Sequence, residues 1–274
     1  MTRSGIDVSV WQGNIDWQKV KNAGVEFALI RAGYGDTLSY PYQIDTKFEY
    51  NYKECKRVGL PVGVYFYSYA TTVAMAVQEA KSCIALLKGK QLEYPIYYDV
   101  EEMSIFKTGL TNDIIKAFCT ELEKAGYWVG IYIYRSAAQS YLSKAVRDRY
   151  AMAIAEYNTK CYYTDQYGIW QNSSTWRVNG ISGNVDHDYC YQDYPTMIKQ
   201  KGKNGFKATT TTNRIETTQD TPILAGTADK PPVTTVIAKG NQYTIDKQVK
   251  IGSKTFGKIS GQNNWIDLGY TKKV

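Results

Sequence analysis

Strand-like and helix-like segments alternate five times over residues 5–146, and then the helices drop out. Runs at Gly5–Val10, Glu26–Ala32, Val62–Ser68, Pro95–Glu101 and Trp128–Tyr134 have the length and the β-branched or aromatic content of strands. Helical spacing covers Asp16–Ala23, Asp45–Val58, Thr72–Lys88, Thr111–Ala125 and Ser136–Val146. Gly24, Gly59, Gly89 and Gly126 stand just past four of these helices, where glycine accepts the left-handed backbone that stops a helix. Three further strand-like runs, Ala151–Glu156, Gly168–Gln171 and Gly183–Asp188, begin only 17 and 15 residues apart. A parallel crossover through a helix needs a dozen or more residues beyond its strands, so these gaps leave no room for one.

Five strand–helix units and three bare strands predict an α/β fold, an irregular eight-stranded (β/α)5β3 TIM-like barrel with its chemistry at the C-terminal strand ends. Side chains alternate along a strand, so Asp99 and Glu101 leave the fourth strand on one face, together with Tyr97. Unpaired charge is costly beside an apolar strand, and two neighbouring carboxyls push their pKa values apart, one keeping its proton while the other ionises. Glycosidic cleavage needs such a pair; a structural ion pair is the alternative. The same parity brings Asp7 and Ser9, Gly63, Tyr65 and Tyr67, Gly130, Tyr132 and Tyr134, Trp170 and Gln171, and Asp186 with Asp188 toward the mouth. His187, the single histidine, alternates away from Asp186. Arg31 is a candidate partner for one of the mouth acids.

Charge and composition divide the chain. Residues 1–194 carry 20 basic and 21 acidic side chains, and residues 195–274 carry 13 and 5, so the net +7 comes entirely from the last part, which alone carries +8 against −1. Residues 195–212, rich in Lys, Gly, Asn and Thr, read as a linker. Residues 213–274 hold short alternating runs without a helix and predict a small all-β barrel. The basic balance suits a polyanion, although lysines also keep a small β-domain soluble. The five cysteines lack metal spacing and read as reduced thiols; with one histidine, no metal set and no cofactor are expected. No run approaches the ~18 apolar residues of a membrane span, and no secretory signal is visible at the start, which predicts synthesis in the cytoplasm. The 25 tyrosines and 6 tryptophans suit stacking on sugar rings, or simply strands.

The motifs Gly5-Ile6-Asp7-Val8-Ser9, Ile30-Arg31-Ala32-Gly33-Tyr34-Gly35, Gly63-Val64-Tyr65-Phe66-Tyr67 and Tyr98-Asp99-Val100-Glu101, in this order and spacing, resemble the family 25 glycoside hydrolases, N-acetylmuramidases that include phage endolysins. Gly130-Ile131-Tyr132, Ile169-Trp170-Gln171 and Val185-Asp186 extend the resemblance over nearly all of residues 3–190. It implies the same barrel and hydrolysis of the β-1,4 bond from N-acetylmuramic acid to N-acetylglucosamine in peptidoglycan. It further implies Glu101 as proton donor, Asp99 as nucleophile or as the group orienting the substrate acetamide, and Asp7 and Asp186 as supporting acids. Tyr65, Tyr67, Tyr132, Trp170 and Gln171 are the candidate groove residues; for each of the four aromatics packing is an equal explanation.

Residues 213–274 resemble bacterial SH3-like wall-binding modules through size, strand pattern and the Trp265-Ile266 ending. The expected partners are peptidoglycan glycan strands and, for residues 213–274, anionic wall polymers; neither nucleic acid nor membrane insertion is expected, and oligomeric state stays open. The absent signal and reduced thiols favour a phage-type lysin released at lysis, with a bacterial autolysin exported by other means as the alternative. The rival expectation is a wall-binding protein that keeps a hydrolase-like barrel without catalysis. Met197 could start a shorter product containing only the terminal domain.

Overall fold

A computed structural model describes residues 2–208, 214–227 and 232–274. The chain divides into two compact units, Met1–Thr209 and Thr210–Val274. In the first, β1 (Arg3–Val8), α1 (Trp17–Asn22), β2 (Phe27–Tyr34), α2 (Phe48–Val58), β3 (Val62–Tyr67), α3 (Val73–Leu87) and β4 (Ile96–Asp99) follow one another. After β4 come the short α4 (Met103–Phe106), α5 (Thr111–Lys124), β5 (Val129–Tyr134), α6 (Arg135–Tyr141), α7 (Lys144–Arg149) and β6 (Ala151–Ala155). The unit ends with β7 (Ile169–Trp176), β8 (Val185–Cys190) and α8 (Tyr194–Gln200). Strands β1 to β8 close a barrel in sequence order. Neighbours from β1 to β7 are parallel, but β8 runs antiparallel to both β7 and β1. The short connection after β7 is therefore a reversal, as a gap too small for a crossover requires.

Alternation along the strands sorts two apolar layers. Outward residues such as Ile6, Val8, Val64, Tyr98 and Ile131 pack under the helices. Inward residues Phe27, Leu29, Tyr97, Ala153 and Ile169 fill the barrel with Tyr94, Tyr194 and Ile198. Gly5, Gly63 and Gly130 make room for these rings: a Cβ on Gly5 would lie 2.3 Å from Phe27, and one on Gly130 would lie 2.5 Å from both the Tyr97 ring and Ala151 O.

The expected linker over 195–212 needs correction at its start. Residues 194–200 are helical and bury Tyr194 and Ile198, one turn apart on one face. Asn204 is fully buried: its amide donates to Leu92 O and Tyr94 O and accepts from Trp128 N, tying the entrances of β4 and β5. The stretch 209–212 lies outside the described residues.

The second unit is all-antiparallel among its described strands: β9 (Arg214–Thr217), β10 (Thr221–Leu224), β11 (Val233–Ile237), β12 (Gln242–Ile251), β13 (Lys254–Ile259), β14 (Trp265–Asp267) and β15 (Thr271–Lys273). They are ordered β11-β10-β14-β13-β12-β9-β15 around a core of Ile215, Ile223, Ile245, Ile259 and Ile266. Residues 242–251 form one strand, irregular at Ile245/Lys247.

Candidate active site

The C-terminal ends of β1 to β7 and the start of the reversed β8 meet at one mouth. Asp7 on β1 stands opposite Asp186 on β8 in the antiparallel register. Asp99 ends β4 between Tyr67 of β3 and Tyr132 of β5. Val100 still donates its amide to Tyr132 O, 3.0 Å away, so the chain stays extended past β4 and Glu101 leaves on the face of Asp99. A cavity of about 210 Å³ collects Asp7, Asp99, Glu101 and Asp186 with Tyr65, Tyr67, Tyr132, Gln171, Trp11 and Tyr157. A larger cavity, about 630 Å³, lies at the opposite strand ends; its Glu123 is held by Arg149 at 2.7 Å, and it has no carboxyl pair.

Hydrogen bonds fix the mouth. Tyr132 Oη donates to Gln171 Oε1 at 2.8 Å, and Gln171 Nε2 donates to Asp7 Oδ2 at 2.6 Å, which sets the orientation of the Gln171 amide. Tyr67 Oη donates to Glu102 Oε1 at 2.8 Å. Asp99 Oδ1 is buried without a hydrogen-bond partner among the described residues.

Every carboxyl of the cluster is raised above its ordinary range. Burial, then the charges of Asp186 and Glu102, lifts Glu101 to about 7. Burial and then Glu101 hold Asp99 well above the usual carboxylate range, against the pull of Arg31. Burial, Asp188 and Asp186 do the same to Asp7, opposed by the hydrogen bond from Gln171. Asp188, fully within the barrel, is pushed up to about 8 by burial and Asp186. Asp186 is raised by burial. Asp7 and Asp186 are direct partners in the strand register, and Asp188 Oδ2 is buried without a hydrogen-bond partner among the described residues, so the three carboxyls disfavour one another's ionisation. The mouth can thus keep an acid protonated near neutral pH beside other carboxyls.

Of the residues singled out from sequence, Asp7, Asp99, Glu101, Asp186, Tyr65, Tyr67, Tyr132 and Gln171 converge here. Trp170 does not: it points outward beside Tyr189, with its indole N–H donated to Glu156 O at 2.8 Å. Adjacent residues on a strand take opposite faces, so an inward Gln171 excludes an inward Trp170. Arg31 pairs with Asp45 at 2.8 Å rather than with a mouth acid. His187 sits on the outer face between Ser4 and Asn172. Trp11 and Tyr157, 83% and 59% exposed at the rim, escaped the sequence reading because they lie past the strand ends, where parity gives no direction. The available signal was an aromatic residue just beyond a strand. No group of three or more His, Cys, Asp or Glu suited to a metal ion occurs among the described residues.

Comparison with known proteins agrees with this geometry. Residues 6–181 match the model of the family described as Glycosyl hydrolases family 25. The autolytic lysozyme of Clostridium acetobutylicum is 30% identical over 185 residues, which cover 67% of this chain and 54% of that protein. The modular autolysin LytC of Streptococcus pneumoniae, solved with a synthetic peptidoglycan ligand, superposes with a TM-score of 0.61 at 31% identity, covering 69% of this chain and 47% of its own. The chain thus spans about half the length of these two relatives. The catalytic domain of an endolysin from a Listeria monocytogenes bacteriophage shares the fold, with a TM-score of 0.62 at 23% identity, over 73% of this chain and 98% of that one. By sequence match and by barrel architecture, the chain belongs to glycosyl hydrolase family 25.

Proposed function

We propose that the protein hydrolyses the β-1,4 bond between N-acetylmuramic acid and N-acetylglucosamine in peptidoglycan. One observation carries the reading most: Glu101, raised to about 7 at an aromatic-lined mouth, adjoins Asp99. In this reaction Glu101 gives its proton to the glycosidic oxygen as the C1–O bond breaks. Asp99 stabilises the oxocarbenium-like charge at C1, as nucleophile or by orienting the substrate's acetamide. Water then adds at C1 and returns its proton to Glu101. Asp7 and Asp186 hold the charge and proton count of the mouth.

Glu101→Gln tests the assignment. The variant should lose about a hundred- to ten-thousand-fold in release of reducing ends from purified walls, with binding to walls retained. Mass analysis of the wild-type digest identifies the bond: fragments ending in reducing muramic acid support the reading. Undiminished turnover by the variant would remove Glu101 from the chemistry. Wild-type binding without cleavage would favour a carbohydrate-binding barrel.

The second unit we assign to wall attachment, as an SH3-like module for anionic wall polymers, on the strength of 9 basic against 5 acidic residues in 213–274. The five cysteines are all free and four are buried, which supports synthesis in a reducing compartment and a phage-type lysin.

A further inference from the structure

We propose that the second unit grips the phosphates of a phosphodiester-linked wall polymer between Lys247 and Lys258, two lysines that face each other across β12 and β13. The proposal rests on the wall-attachment reading of this unit and names its binding site. In the antiparallel ladders Lys247 pairs with Lys258, and Lys258 pairs in turn with Trp265 of β14. Residues paired across strands project to one face, with Cβ atoms about 4.5–5.5 Å apart. The row stands on the face turned away from the isoleucine core, because Ile259 and Ile266, next to Lys258 and Trp265 in sequence, point into that core. Lys247 is exposed, and Lys258 and Trp265 are half-buried.

Like charges directly opposite one another cost a sheet stability, and no counter-charge relieves this pair among the described residues. Elsewhere in the unit Lys254 is held by Asp267 at 3.3 Å, Lys272 by Glu216 at 2.9 Å, and Arg214 donates to Gln242. Asp267, the acid of β14, is spent on Lys254 and on the backbone N–H of Gly269. Asp246, exposed in the irregular step between Ile245 and Lys247, forms no ion pair with either lysine. An anion seated between the two ammonium groups replaces their repulsion with attraction. A phosphodiester fits, since its two unesterified oxygens offer one to each lysine, and lysine meets phosphate as a point charge. A planar carboxylate is matched best by the fork of an arginine, and the row holds none. Trp265 ends the row with a flat apolar face and an indole N–H that has no acceptor among the described residues. Such a side chain suits the carbon chain and hydroxyls of a polyol or sugar repeat.

The test uses the full chain carrying Glu101→Gln, so that binding is read without turnover, and synthetic glycerol-phosphate oligomers of about six repeats, a length that spans the paired lysines. Adding Lys247→Gln together with Lys258→Gln should weaken the oligomer about tenfold in calorimetry, the order of two charge-assisted contacts. The control pair, Lys239→Gln with Lys250→Gln, removes the same charge outside the row, since Lys250 alternates to the other face of β12. It should lose less than about twofold at physiological salt. The site variant should also melt no lower than its parent, because the opposed charges are gone, which separates lost binding from lost fold. Equal losses in the two pairs would overturn the proposal in favour of diffuse charge. So would an unchanged site variant, or equally tight binding of a polygalacturonate chain of the same charge, which would make the row a site for any polyanion. The wall-attachment reading fails separately: it falls if stripping phosphodiester polymers from walls with hydrofluoric acid leaves the parent's adherence unchanged, while the oligomer series still reads the row itself.

Discussion

Replacing Glu102 by Gln removes one negative charge beside Glu101 and keeps a side chain whose amide oxygen can still accept from Tyr67 Oη. Glu101 is raised from 4.5 to about 7, a difference of about 2.5, or roughly 3.4 kcal/mol in favour of the protonated form. The charged and titratable groups around it are Asp99 on β4, Asp186 on β8, Glu102 at the start of α4, Tyr67 on β3, Tyr132 and Tyr134 on β5, and Tyr157 beyond β6. Glu102 ranks after burial and Asp186 among the causes, so it supplies less than a third of the rise, about half a pH unit. Activity that needs protonated Glu101 is lost as pH rises through its pKa. Removing a neighbouring negative charge makes the carboxylate easier to form, so the pKa falls. The alkaline limb of kcat/KM, followed by reducing-end release from walls, should therefore move about half a pH unit to lower pH, with the rate below the limb kept. Glu102→Asp retains the charge and should leave the limb in place. An unmoved or alkaline-shifted limb in Glu102→Gln would refute this account of how the acid is held.

Asp188→Asn should flatten the pH dependence of thermal stability. The Asp188 carboxyl goes from 3.8 to about 8 on folding, so its stability contribution is whole below pH ~4 and is lost as pH rises through about 8; a wild-type fall in Tm between pH 5 and 8 in the variant would contradict this. Gly130→Ala should destabilise by about 1–3 kcal/mol, because its Cβ meets Ala151 O and the Tyr97 ring at 2.5 Å, and an unchanged urea midpoint would show the inner face to be looser than described. Adherence of the Glu101→Gln protein to walls should weaken as salt rises from about 50 mM toward 0.5 M, as screening of the basic second unit requires; salt-independent adherence would argue for apolar attachment.

The sequence carried the barrel because two signals agreed, helix stops at Gly24, Gly59, Gly89 and Gly126 and the missing helical spacing after residue 150. It carried the facing of Asp7, Asp99 and Glu101 because a strand has only two faces, but it sent the neighbours Trp170 and Gln171 to the same face, which alternation forbids. It did not carry the direction of β8: alternation says which face Asp186 takes, but not which end of the strand lies at the mouth. Register against β1 supplies that, by pairing Asp186 with Asp7 at the start of a reversed strand. Helix α8 was hidden by the Lys- and Gly-rich stretch that follows it, although Pro195 sits in its first turn, where proline is favoured. Partners distant in sequence, such as Arg31 with Asp45 or Asn204 with Trp128, leave no local pattern to read.

The energetics of the mouth favour function as the reason for its composition. Asp7, Asp99 and Asp188 are buried carboxyls, and each is raised in pKa first by that burial. A set of acids kept only for stability would be matched by cations. The one guanidinium lining the cavity, Arg31, is bound to Asp45 instead. The cluster therefore weakens the fold progressively as pH rises and its members ionise, a cost that apolar or amide side chains in the same places would avoid. Such a penalty is expected where an active site needs a proton held ready. It follows that amides at Asp7, Asp99 and Asp188 should raise stability at alkaline pH while lowering or abolishing turnover. A stabilised triple variant that still cut walls at the wild-type rate would show that the acids serve neither chemistry nor fold.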